Sequence, residues 1–144
     1  MIMPQPHRND ETRIFSGVLN DARKFWNQFN CDASAKTAQG LYPLANDTAR
    51  VVDLTYNDQE SRLRLELRLK PVHNPETVCS RLVHFQDRWS MLLASVTYDR
   101  EDHFIRVQSK TVLDPTQQSG LAVRAIFEDL RRIVNDPCFQ QILC

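Results

Sequence analysis

Four histidines, four cysteines and a scatter of serines and carboxylates are the side chains in this 144-residue chain able to carry chemistry. His7, His73, His84 and His103 lie far apart in the sequence. No H-x-x-x-H or H-E-x-x-H spacing puts two of them on one helix face, so a local metal motif is missing. Ligands from distant segments can still converge, but each histidine reads as surface or structural. Cys31, Cys79, Cys138 and Cys144 contain no C-x-x-C pair, which leaves zinc and thioredoxin-like chemistry without support. Cys79 reads as a buried free thiol. Cys144 stands last in the sequence, where a prenylation box needs its cysteine fourth from the end. Ser16, Ser34, Ser61, Ser80, Ser90, Ser95, Ser109 and Ser119 lack the G-x-S-x-G frame that exposes a nucleophile on a strained turn. Acids such as Asp99, Glu101 and Asp102 cluster where turns are expected and read as solvated. A carboxylate pair assembled in space would not be visible here. Three glycines, unclustered, offer no phosphate-cradling loop. The expectation is no catalytic residue, no metal and no cofactor.

Composition sets the frame in which any function must work. An apolar fraction of 42% and a charged fraction of 25% are those of a globular protein, and 144 residues suffice for one core. Eighteen basic residues balance eighteen acidic ones, so bulk charge does not drive binding to nucleic acid or anionic membrane. A local basic face remains open. The first residues carry no apolar signal region, and no apolar run approaches the ~18–20 residues of a membrane span. The expected compartment is the cytoplasm, with reduced thiols. Residues 1–11 read as a disordered lead-in and 12–144 as a single domain.

The elements that must position any site follow from periodicity. Leu63, Leu65, Leu67 and Leu69 alternate with Arg64, Glu66, Arg68 and Lys70, a period of two that puts leucines on one strand face and charges on the other. The sheet therefore has one dry and one wet face. Ile14, Phe15, Val18, Leu19, Ala22, Phe25, Trp26 and Phe29 recur at steps of three and four and predict a helix over about 12–30, started by Asp10 or Thr12. A short edge strand is expected near Leu41-Tyr42 beside Pro43. Strands follow at 50–56 and 62–72, turning at Asn57-Asp58-Gln59-Glu60. Asn74-Pro75-Glu76-Thr77 opens a helix to about 89, with Val78, Leu82, Phe85 and Trp89 on its apolar face. Strands at 92–98 and 103–113 form a second hairpin. Leu121 to Val134 carries the last long stripe, and Phe139, Ile142 and Leu143 add a short turn that packs back. Phe25, Trp26, Phe29, Phe85 and Trp89 are assigned to the core. The fold class is α+β, an antiparallel five-stranded sheet in the order α-β-β-β-α-β-β-α with the helices on one face.

Alternation also places Arg64, Arg68, Arg106 and Lys110 on the wet face around Phe104, with Glu66 among them. This is the candidate interaction face. Without a partner it is a solvated surface with cross-strand pairs. Its functional use is contact with single-stranded nucleic acid, whereas a partner protein segment is expected to add to a sheet edge or lie on an apolar groove. Stacking of bases needs a series of aromatics, and only Phe104 is evident.

The order of elements resembles the fold shared by class I type III secretion chaperones and YbjN-like proteins. The likeness rests on the leucine strand leading into the Asn-Pro helix (63–89), the hairpin 92–113 turning at Asp99-Arg100-Glu101-Asp102, and the closing helix after Leu113-Asp114-Pro115. Members of both groups are usually acidic, whereas this chain is neutral. The resemblance implies a small homodimer that binds another protein or peptide segment and has no catalytic centre. A nucleic-acid binder using the basic sheet face, and an enzyme of unrecognised type, are the alternatives.

Overall fold

The computed structural model describes residues 6–43, 49–88, 94–114, 116 and 118–143. Its elements run α1 (Pro6–Ala22), β1 (Asn27–Asp32), β2 (Thr37–Pro43), β3 (Ala49–Asn57), β4 (Arg62–Leu69), α2 (Pro75–Arg88), β5 (Ala94–Asp99), β6 (Phe104–Val112), α3 (Gly120–Val134) and α4 (Pro137–Leu143). All strand pairs are antiparallel, in the spatial order β1-β2-β3-β4-β6-β5. The sheet thus has six strands, one more than the sequence predicts.

The extra strand replaces the second half of the expected helix 12–30. Helix α1 starts at Pro6, six residues before position 12, so Asp10 and Thr12 lie inside it, and it stops at Ala22. A turn over Arg23–Phe25 then feeds Trp26 and β1. Of the expected lead-in 1–11, residues 1–5 lie outside the described residues. Every residue of β1 is exposed, and Phe29, assigned to the core, is 58% exposed. β2 is accordingly not an edge: β1 covers one side and β3 the other. Trp89 and Leu92 lie outside the described residues. Cys79, expected to be buried, is half-buried.

Three hairpins close by one device. Asp32, Asn57 and Asp99 each end a strand and accept, on one side-chain oxygen, the backbone N–H groups two and three residues on. Four residues after each lies a non-glycine residue with positive φ: Lys36 at 54°, Ser61 at 51° and His103 at 53°. The short polar side chain nucleates the turn and the left-handed residue turns the chain back into the ladder.

The dry face carries Leu54, Leu63, Leu65, Ile105 and Val107, all fully buried. Helix α3 lays Ile126, Phe127, Leu130 and Ile133 against it. Phe127 is the hub, stacked on Phe25 at 5.2 Å between centroids and edge-on to Trp26 at 5.6 Å. Two polar groups of the sheet also dock α3. Tyr42 Oη donates to the Phe127 carbonyl at 3.0 Å, and Ser109 Oγ to that of Ile126 at 2.7 Å. Gly40 admits the Trp26 indole onto β2, where a Cβ would meet the ring at 2.5 Å. Helix α2 begins as expected, with Asn74 Oδ1 capping the Thr77 N–H at 2.9 Å. Its Phe85 packs on Phe139 of α4 (centroids 5.4 Å), and Arg81 donates to the Gln141 carbonyl. Among the described residues no helix is long and apolar enough to cross a membrane.

Candidate functional site

The five residues singled out from alternation all sit on β4 and β6, and the structure pairs those two strands directly. Register sets Arg64 opposite Lys110, Glu66 opposite Gln108, and Arg68 opposite Arg106. Phe104 lies at the next level of β6, opposite Asp99 of β5. The residues fall into two groups separated by the Glu66–Gln108 rung.

One group is tightly knit. Arg68 and Arg106 would repel across the strands, but Glu66 lies between them. Its carboxylate is 2.8 Å from Arg106 Nε and 3.5 Å from Arg68 Nε, and it accepts from Gln108 Nε2 at 2.7 Å. The Arg106 N–H is not aligned on that oxygen, so the contact is one of charge rather than a hydrogen bond. Both guanidinium groups lie over the Phe104 ring, at 5.2 Å for Arg68 and 5.5 Å for Arg106. Glu66 is buried although it is on the wet face, because the two arginines and the glutamine roof it over. The second group is looser. Among the described residues, Arg64 and Lys110 face each other with no carboxylate between them. They border a hollow of about 220 Å³ with Thr55, Asn57, Glu60 and Arg62.

Sequence reasoning missed the part of the face built by β1, β2 and β3. Asn30, Gln39, Asp53, Glu66 and Gln108 occupy one row across five strands. Gln39 Nε2 donates to Asp53 Oδ1 at 2.8 Å, and Asn30 Nδ2 reaches Gln39 Oε1 at 3.4 Å. Asp53 stands opposite Glu66, so two carboxylates share the middle of the sheet. Leu41 and Val51, paired in register, leave an apolar spot on the same face, 39% and 47% exposed. The signal was present: Val51, Asp53 and Thr55 alternate with the buried Val52, Leu54 and Tyr56.

Among the described residues the reactive side chains do not converge. His73 pairs with Arg81 at 3.0 Å, His84 is exposed, and His103 contacts the Tyr98 hydroxyl. Among the described residues no three His, Cys, Asp or Glu side chains gather as a metal site. Two open troughs, about 660 and 820 Å³, flank the start of α3. In the first, Ser119 Oγ donates to Asp21 Oδ2 at 2.6 Å, and no histidine is among the residues that line it.

No known protein family matches this sequence, and no curated protein matches it at a significant level. Solved structures do. The chain is similar to a chain of the crystal structure of the ExsC–ExsE complex, with a TM-score of 0.64, 15% identity, and coverage of 92% of this chain and 96% of that one. A looser likeness, at a TM-score of 0.49 and 14% identity, covers 84% of this chain and 93% of a chain of the HopA1–SchA chaperone–effector complex. The resemblance to the type III secretion chaperone fold, read from the order of elements, holds at the level of fold.

Proposed function

We propose that this chain is a non-catalytic protein-binding module, chaperone- or regulator-like, that acts as a cytoplasmic homodimer and holds a segment of another protein. The observation that carries the reading is the fold shared over 92% of the chain with a component of a two-protein complex. The geometry agrees with it. One face of the sheet is left uncovered by the helices and offers an apolar spot at Leu41 and Val51 beside the Arg68–Phe104–Arg106 cluster, the mixture that polypeptide contacts use. The nucleic-acid reading has less support, because Asp53 and Glu66 interrupt the basic track and Phe104 is a lone aromatic on β4 and β6.

Light scattering on the purified chain is expected to give a mass near twice 16.8 kDa. A pull-down from the native host is expected to retain one protein in fixed ratio, lost when Leu41→Asp and Val51→Asp are combined. A monomer that retains no protein overturns the proposal.

A further inference from the structure

The same like-charge arrangement occurs twice on β4 and β6, and only one copy is bridged by a carboxylate. Arg68 opposite Arg106 is balanced by Glu66 and the face of Phe104. Arg64 opposite Lys110 is not: among the described residues neither has an ion-pair partner. Like charges directly opposite on a sheet are destabilising, and the chain carries that cost at a position open to solvent. We propose that Arg64 and Lys110, with Arg62 at the rim, form a slot for a single carboxylate of an acidic segment in a partner protein, which would complete the second pair as Glu66 completes the first. This rests on the protein-binding reading above and names the chemistry of the partner.

Three features select a side-chain carboxylate. The hollow between these residues, about 220 Å³, is of side-chain size. Thr55 stands opposite Arg64, and Asn57 opposite Arg62, supplying a hydroxyl and an amide beside the two cations. Glu60 also borders the hollow, but it engages Arg62, at 3.7 Å, and both of those side chains are exposed. A phosphate backbone would need a continuous basic track. The next cations along the strands, Arg68 and Arg106, are four residues and roughly 13 Å away, and Glu66 with Asp53 lies between. The slot therefore suits isolated acidic residues of an extended peptide.

The test uses the full chain, isotope-labelled, titrated with a blocked hexaglutamate peptide and, separately, with a single-stranded oligothymidine. Hexaglutamate is expected to shift the amide signals of Thr55, Arg62, Arg64 and Lys110 in a saturable way. The double variant Arg64→Gln, Lys110→Gln is expected to lose roughly tenfold or more in affinity. Its melting temperature should rise by roughly 1–3 °C because the repulsion is gone, which also shows that it folds. Equal binding by the variant, shifts spread over all basic residues, or tighter binding of the oligonucleotide at this site each overturns the slot. The pull-down separates the two readings. If the double variant retains the partner undiminished, the slot falls and protein binding stands. If hexaglutamate binds but no protein is ever retained, Arg64 and Lys110 still form a carboxylate site, and its assignment to a partner protein falls with the protein-binding reading.

Discussion

Tyr42 shows how one buried polar atom links stability to solution conditions. Its ring is 4% exposed between β2 and α3, and its hydroxyl donates to the Phe127 carbonyl. Burial pushes its phenol up to about 12 from an ordinary 10, with nearby Arg131 opposing the shift. The folded chain therefore holds this proton more tightly than the unfolded chain. Its contribution is complete below pH 10 and is lost as pH climbs from there toward 12. The expected loss is roughly 2–3 kcal/mol over that window. Urea unfolding at stepped alkaline pH checks it. Tyr42→Phe should remove most of the slope and cost about 1 kcal/mol below pH 10, where the Phe127 carbonyl loses its donor. Tyr98 shifts in the same direction by desolvation but is less buried, so a weaker residual slope should remain. A variant with an unchanged alkaline slope would show that other groups set it.

Two phenylalanines separate what the elements do from what their residues suggest. Phe29 completes a three-and-four apolar rhythm with Phe25 and Trp26, yet it lies on an exposed edge strand. Phe139 sits in a seven-residue helix and is fully buried against Phe85. Phe29→Ser is expected to change stability by no more than about 0.5 kcal/mol. Phe139→Ala should cost roughly 3–5 kcal/mol. Denaturant midpoints of the two variants read the difference, and a Phe29→Ser cost as large as that of Phe139→Ala would contradict the placement of β1. Most elements were legible: the leucine strand, both later hairpins, the Asn-Pro helix and the closing stripe fall where their periods predict. β1 was not, because both faces of Asn27–Asp32 meet solvent and the strand has no alternation to read. The turn at Arg23–Phe25 holds neither glycine nor proline, so nothing local marked the helix end.

At the scale of the whole molecule, the candidate face was half legible. Alternation alone put Arg64, Arg68, Phe104, Arg106 and Lys110 on one side of the sheet. That β4 pairs with β6 was not legible, because neighbours in the chain suggest hairpins, and these strands are separated by α2 and β5. The neutralisation of Arg106 by Glu66, 40 positions away in sequence, depends on that pairing. The same seam has a consequence for how the chain acquires its shape. β1 to β4 pair in the order in which they follow along the chain, whereas β4 and β6 meet only after the intervening helix and strand have been brought round. Short loops close quickly and long ones slowly. In pulse-labelling during refolding, amides of β2 and β3 should gain protection before the β6 amides that face β4, and simultaneous protection would contradict this. Newly made chain would then pass through a stage in which the outer rim of β4 is bare, a template for aggregation until β6 arrives.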